Sequence, residues 1–432
     1  MSETRISAVT GRRVWDSRGR PTVEAEVRLT GGAIGRAIAP AGASRGSHEA
    51  VDLRDGGVLL GGLGVEQAVH NLRDAIGQQL LGLDASDQAG VDAVLIALDG
   101  TPNKKRLGAN ALIAVSMAVL HAAAQAAGLL LWQYLSGGKP VRLPLPEIQI
   151  FGGGAHAGRR VDIQDFMVMP VGAISFDQAL VMTAEVYRAA GQLMAADGRL
   201  AGVADEGGWW PLFASNEEAL SCLVQAIENA GYTPGEQVAI ALDVAASEFG
   251  SAAGYVLGLE HRQLDTDGLI ELLLGWIERY PIVAVEDPLA EDDHDGMRRF
   301  TAAVGDRVQV IGDDYLVTDA RRIAQAAERK SCNAALIKPN QVGTITETQA
   351  ALEAAKAAGW RTIVSARSGE SEDVTIVHLA TGWDAGQLKV GSIARTERTA
   401  KWNEALRIEE ALGPAARFAG RSVLSAADRS LV

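Results

Sequence analysis

Six apolar runs in the second half of the chain each end in, or carry, a side chain able to do acid–base or metal chemistry. Asp243 closes the run 238–242, Glu286 and Asp287 close 282–285, and Asp313 and Asp314 close 308–311. Lys338 closes 334–337, Arg367 and Ser368 follow 362–364, and Lys389 lies inside 387–390. Acids come first and bases afterwards. A single charged residue at the end of an apolar run is ordinarily a solvated loop residue. Six in succession with segregated signs are poorly explained that way. Three carboxylates from neighbouring strands make an oxygen-rich site suited to a hard cation such as Mg²⁺. A lysine beside that cation and facing another is expected to have a depressed pKa and to act as a base near neutral pH. Upstream, Ala204–Asp205–Glu206–Gly207–Gly208 puts a carboxylate in a tight glycine-bounded turn, and the mobile glycine-rich stretch 152–158 carries His156.

Residues so far apart in sequence need a scaffold that gathers them. Helical patterns near 266–279, 295, 320, 345–358 and 373–381 separate the apolar runs, which implies a parallel sheet covered on both faces. So many repeats predict a closed α/β barrel, with the functional side chains converging at the C-terminal ends of its strands. The first part of the chain reads differently. Alternating segments at 23–27 and 33–38 precede helical patterns at 65–81 and 109–127, as in a smaller α+β domain. The Ser-Gly-Gly-Lys-Pro stretch at 136–140 marks the boundary, giving residues 1–138 and 139–432.

Composition narrows the function classes. A length of 432 residues with 47% hydrophobic and 22% charged side chains supplies material for a large core. A net charge of −14 argues against a nucleic-acid partner, whose phosphates demand clustered Lys and Arg. It leaves room for a small anionic substrate met by local cations. Cys222 and Cys332 lie far apart, in neither a disulfide framework nor a thiolate zinc spacing. The N-terminus has no apolar signal segment, and the alanine-rich stretch 112–131 is interrupted by Ser116, His121 and Gln125, so it reads as a buried helix rather than a membrane span. The expectation is a soluble, cytoplasmic protein.

The pattern resembles the enolase (phosphopyruvate hydratase) family over nearly the whole chain. The similarity is carried by Asp16–Ser17–Arg18–Gly19, Pro21–Thr22–Val23–Glu24, Gly42–Ala43–Ser44 and Leu107–Gly108–Ala109–Asn110–Ala111. It continues through Asp205–Glu206–Gly207–Gly208, Ser247–Glu248–Phe249, Val285–Glu286–Asp287–Pro288, Ala290–Glu291–Asp292–Asp293, Asn340–Gln341, Arg367–Ser368–Gly369–Glu370 and Ile408–Glu409–Glu410. The resemblance implies an N-terminal α+β domain, an eight-stranded barrel whose first units break strict β/α alternation, and a homodimer or homo-octamer. It implies two Mg²⁺ ions, the first held by Asp243, Glu286 and Asp313, the second arriving with substrate and helped by Ser44 on a closing loop. Lys338 matches the base and Lys389 the residue that neutralises the substrate carboxylate. Glu206 matches the general acid, with Asp165 supporting it. Arg367 and Ser368 match the phosphate-binding pair, and His156 and Gln164 match residues around the substrate. The implied activity is that of a Mg²⁺-dependent lyase on a phosphorylated three-carbon acid.

Departures from the family pattern gather on one side of the site. Ala366 stands where the family has histidine, Arg45 where it has threonine, and Asp165 where it has glutamate. Gly152 replaces asparagine, Ala155 replaces serine, and Trp209–Trp210–Pro211–Leu212 follows the Glu206 turn. Loss of an imidazole makes space, and Arg45 adds a cation for another anionic group. Drift is the bland explanation. The clustering leads us to expect a specialised paralogue, such as carboxyphosphonoenolpyruvate synthase of phosphinate biosynthesis, with an activated phosphonate as second substrate. An ordinary glycolytic enolase is the alternative. A silent scaffold is disfavoured, because it has no reason to retain Asp243, Glu286, Asp313, Lys338 and Lys389 together.

Overall fold

The computed structural model describes residues 3–251 and 253–424. Three strands, β1 (Ile6–Trp15), β2 (Pro21–Leu29) and β3 (Ile34–Ile38), form an antiparallel meander. The β1–β2 turn is tied by Asp16, whose Oδ1 accepts the backbone N–H groups of Arg18 and Arg20 at 2.8 and 2.9 Å. The helical pattern at 65–81 forms as α1 (Glu66–Asn71), a π turn (Leu72–Ile76) and α2 (Gly77–Leu80). A helix not anticipated from the sequence, α3 (Gln88–Asp99), is capped by Asp87 at its start and by left-handed Gly100 at its end. The helix α4 (Ala109–Ala126) is long and apolar enough to cross a membrane, yet 83% of it is buried inside the protein, against β2 and β3. Small alanine side chains let it approach the sheet closely, which accounts for its composition without a bilayer. A short α5 (Leu131–Ser136) leads to the barrel.

The barrel opens with β4 (Leu145–Gly152) and β5 (Asp165–Met169), then α6 (Phe176–Ala196), α7 (Asn216–Asn229) and β6 (Ala239–Asp243). A small hairpin sheet follows, β7 (Gly250–Ser251), β8 (Gly254–Leu257) and β9 (Arg262–Leu264), before α8 (Thr266–Arg279) and β10 (Ile282–Glu286). Regular alternation completes the ring: α9 (His294–Val304), β11 (Gln309–Gly312), α10 (Ala320–Arg329), β12 (Ala334–Ile337), α11 (Ile345–Ala357), β13 (Arg361–Ser365), α12 (Thr375–Gly382), β14 (Gly386–Gly391) and α13 (Thr396–Leu412). The closed order is β10-β11-β12-β13-β14-β4-β5-β6.

The expectation of a uniformly parallel sheet is corrected at β5, which is antiparallel to both β4 and β6. The β4–β5 connection carries only a short 3-10 turn (Gly154–Ala157) and no crossover helix, so the chain must return antiparallel. This reversal matters for the site. It places the first residue of β5, Asp165, in register with Asp243 at the last residue of β6, so both face the same mouth. Neither β4 nor β5 was legible as a core strand. Glu147, Gln149 and Asp165 interrupt their apolar pattern, although every residue of both strands is buried.

Candidate active site

The strand ends bring the sequence-named groups together. Ser44, His156, Gln164, Asp165, Glu206, Asp243, Lys338, Ala366, Arg367, Ser368 and Lys389 line one cavity. Its free volume is only about 20 Å³, room for about one water. Glu286 and Asp313 are reached through those lysines. The Lys389 ammonium donates to Asp243 Oδ2 and Glu286 Oε2 at 2.7 Å each and lies 3.6 Å from Asp165 Oδ2. The Lys338 ammonium pairs with Asp313 Oδ2, and Gln341 donates to Asp313 Oδ1 at 2.9 Å. Asp243, Glu286 and Asp313 therefore share one buried region, interleaved with two cations.

The depressed pKa expected of Lys338 supposes a cation bound beside it. Burial works to lower it, but the Asp313 carboxylate outweighs burial and raises it above the ordinary lysine value. Lys389 moves further in the same direction, burial being overcome by Asp243 and Glu286. Glu286 is raised well above the usual carboxylate range by burial and by Asp243, with Lys389 opposing. A carboxylate so destabilised in its charged form, with Oε1 buried and lacking any hydrogen-bond partner, has capacity for a cation. Gln164 Oε1 is likewise buried without a partner, next to Asp243, to which its Nε2 donates at 3.1 Å. The residues present fit a hard divalent ion.

A second acidic cluster, Asp287, Asp313 and Asp314, is also fully buried. Asp287 is committed to structure: its two oxygens accept the backbone N–H groups of Asp313 and Asp314 at 2.9 and 2.7 Å. Burial, then Asp313, push its pKa up to about 8.

On the opposite wall, His156 is packed rather than loosely held. It is 6% exposed, with Nδ1 3.2 Å from Asp165 Oδ1 and Nε2 3.8 Å from Glu206 Oε1. Asp165 and Glu206 have carboxylate oxygens within 4.8 Å of each other, and both contact the imidazole. Asp165 also contacts Gln149 and Lys389. Burial disfavours the charged ring, but Glu206 and Asp165 prevail and push its pKa up to about 9. Because this folded-state value lies above the ordinary 6.5, the ion pair stabilises the fold fully below about pH 6.5. That contribution, on the order of 3 kcal/mol, is lost as pH rises through about 9. Thermal melts from pH 6 to 9.5 are expected to show a steeper loss of stability in the wild type than in His156→Asn. Parallel curves would refute the assignment.

Glu206 sits in a turn that depends on Gly207, whose φ of +95° favours glycine and whose Cβ would lie 2.5 Å from the Ala394 carbonyl. The following tryptophans serve packing. Trp209 stacks on Tyr187 with ring centroids 4.6 Å apart and donates Nε1 to the Tyr187 carbonyl, while Trp210 lies against Gly158 of the His156 loop.

The phosphate-binding candidates are held by groups that sequence reasoning did not find. Arg367 is 4% exposed and forms two hydrogen bonds to Glu49, at 2.9 and 3.0 Å, with further contacts to Asn340 Oδ1 and the Ser44 carbonyl. Gly42 approaches so closely that a Cβ there would lie 2.0 Å from Arg367 Nη2. Ser368 Oγ accepts from Arg18 at 3.2 Å and from the Ala43 N–H at 2.6 Å. Beneath them the fully buried Arg398 donates to the carbonyls of Arg367 and Val390 at 2.7 and 2.8 Å and to that of Ser368. Glu49 follows Arg45 by four residues in an unpatterned loop and Arg398 lies within a helix, so neither carried a motif signal. Glu147, in register with Lys389 on the neighbouring strand, was also missed. Its two oxygens have no hydrogen-bond partner, and burial, with Asp243 adding and Lys389 opposing, raises it to about 7.

One named residue is not gathered. Arg45 points away from the cavity, donating to Asp52 at 3.1 Å with its side chain 41% exposed.

Residues 6–135 match the model of the enolase N-terminal domain, and residues 140–427 match that of the enolase C-terminal TIM barrel domain. Enolase 1 of Desulfitobacterium hafniense (strain Y51) is 48% identical over 430 residues, covering 99% of this chain and 98% of that protein. The chain belongs to the enolase family.

As an enolase-family protein it is an enzyme, a Mg²⁺-dependent lyase. Among the described residues two groups at the enolase barrel mouth place ligand atoms close enough together to hold a metal ion, His156 with Asp165 and Glu206, and Asp287 with Asp313 and Asp314.

Proposed function

We propose that this chain dehydrates 2-phosphoglycerate to phosphoenolpyruvate. The observation that carries the reading is the joint placement of Lys338, Lys389 and Glu206 around one cavity, with the phosphate-binding candidates Arg367 and Ser368 on its rim. Lys338 takes the proton from the carbon beside the substrate carboxylate, and Lys389 balances the carboxylate charge. Glu206 protonates the departing hydroxyl as the carbon–oxygen bond breaks, so water leaves and the double bond forms. Arg367 and Ser368 orient the phosphate. Two Mg²⁺ ions, the first on Asp243, Glu286 and Asp313 and the second assisted by Ser44, would supply concentrated positive charge for the enolate. A cytoplasmic homodimer or homo-octamer is part of the same reading.

The specialised reading, carboxyphosphonoenolpyruvate synthesis with an activated phosphonate, draws on Ala366. Its methyl group, 6% exposed, lines the cavity where the family resemblance leads one to expect an imidazole. The other supporting residue, Arg45, is engaged by Asp52 outside the cavity. His156 meanwhile keeps a charged imidazole 3.8 Å from Glu206, which favours ordinary dehydration.

Phosphorus NMR with Mg²⁺ and 2-phosphoglycerate tests both. Rapid appearance of phosphoenolpyruvate, with Ala366→His changing kcat less than about threefold, is expected. Negligible turnover that Ala366→His restores by about 10²-fold, within the range for a positioned acid–base group, would establish the specialised reading instead.

A further inference from the structure

Away from the barrel mouth lies a cationic constellation that enolate chemistry does not use. Tyr315, immediately after Asp314, is 3% exposed, and its hydroxyl meets His294 Nδ1 at 2.9 Å. Arg322, in the first turn of α10, donates Nε and Nη2 to the Tyr315 carbonyl at 3.2 and 2.9 Å. Arg329, in the last turn of the same helix, lies two turns further along the same face. With Gln325 and Ala326 these residues line a cleft of about 110 Å³ that has no carboxylate in its wall.

The lack of charge compensation is local. In the adjoining segment Arg298 pairs with Asp295, Arg299 with Asp267 and Asp295, and Arg307 with Glu278. Arg322 and Arg329 have no carboxylate within 4.0 Å among the described residues, in a chain whose net charge is −14. The His294 pKa is lowered first by burial and then by Arg329 and Arg322, against Asp292 and Asp293. The cleft shares His294 and Arg322 with a groove of about 330 Å³ walled by Ser47 and His48, from the loop that carries Ser44, and by Glu291 and Asp292.

We propose that this cleft binds the phosphoryl group of a small anion, inorganic phosphate or a phosphate monoester, at a site separate from the barrel mouth. The two guanidinium groups, Arg322 through the nitrogen not given to the Tyr315 carbonyl, offer cationic donors to one tetrahedral anion, and the His294 imidazole and Gln325 amide add neutral ones. The adjoining groove has space for the organic part of a monoester. An occupant there would touch Ser47 and His48, next to the loop residues that hold Arg367.

Equilibrium dialysis of the full chain with Mg²⁺ and labelled inorganic phosphate tests the proposal, with Arg367→Gln included to remove phosphate binding at the barrel mouth. Arg367→Gln is expected to keep one phosphate site, and adding Arg329→Glu is expected to weaken that site at least tenfold. Arg329→Gln, which only removes the charge, shifts it in the same direction. Arg329→Glu by itself leaves 2-phosphoglycerate turnover within about twofold in the absence of added phosphate. Competition by glycerol phosphate at lower concentration than inorganic phosphate identifies a monoester ligand, and the reverse order identifies free phosphate. Phosphate binding that disappears with Arg367→Gln, or that persists unchanged in Arg329→Glu, overturns the proposal. Because the readout is binding at α10, failure of the dehydration assay leaves this test intact.

Discussion

Replacing Lys338 with methionine is expected to lower kcat by about 10³–10⁴-fold, the upper part of the range for a positioned base. Methionine keeps the apolar stem and removes the ammonium group of the proposed base. In the metal-free protein the change also strands Asp313, whose Oδ2 pairs with Lys338 and whose side chain is 8% exposed. Breaking a buried pair from one side costs about 3–5 kcal/mol. The pKa of Asp313 reflects this dependence: burial would raise it, but Lys338 and Arg367 hold it below the ordinary value. Two readouts separate chemistry from folding. Steady-state turnover should collapse, and exchange of the substrate C2 proton with D₂O should stop, while Mg²⁺ restores most of the lost melting temperature. Exchange persisting at a tenth of the wild-type rate or more would assign the base elsewhere.

Glu286→Gln should act with opposite signs on metal binding and on metal-free stability. Glu286 is fully buried, Oε2 accepts from Lys389, and Oε1 has no partner. Its folded-state pKa is raised above the ordinary value by burial, then by Asp243, with Lys389 opposing, so ionising it within the fold costs stability. A stabilising contribution from this group is present at low pH and fades as pH rises, the reverse of a paired surface carboxylate. The amide removes that cost, and Lys389 keeps its 2.7 Å pair with Asp243 and so is not stranded, so the metal-free variant is expected to melt higher than the metal-free wild type. The gain is forfeited when Mg²⁺ is added. Wild type at a hundred times its dissociation constant is stabilised by about 2.7 kcal/mol, whereas the variant should show no shift and at least a 100-fold lower kcat. Calorimetric titration of both proteins with MgCl₂ checks this directly. Equal affinities would remove Glu286 from the metal set.

The two predictions rest on different kinds of legibility. Apolar runs ending in Asp243, Glu286 and Asp313 announced a barrel and its mouth, because strand-end position in such a fold converts sequence order into spatial convergence. Lys338 and Lys389 followed by the same logic. The pairing of Lys338 with Asp313, and so its raised pKa, did not follow, because sequence spacing gives neither distances nor charge compensation. Arg45 shows the same limit: its type allowed an anion contact, and the loop fold directed it to Asp52.

Residue pattern by itself determined the α/β barrel, the smaller N-terminal α+β unit, the buried character of the alanine-rich helix and the acids-then-bases order of the functional groups. These are periodic or positional properties, written in local composition. Tertiary structure alone decided the reversal of β5 that brings Asp165 beside Asp243, the salt link from Glu49 to Arg367, the Arg398 support beneath the phosphate-binding candidates and the buried, partnerless Glu147. Each joins segments tens to hundreds of residues apart. Their free energies arise from desolvation and charge proximity, which exist only once the barrel closes.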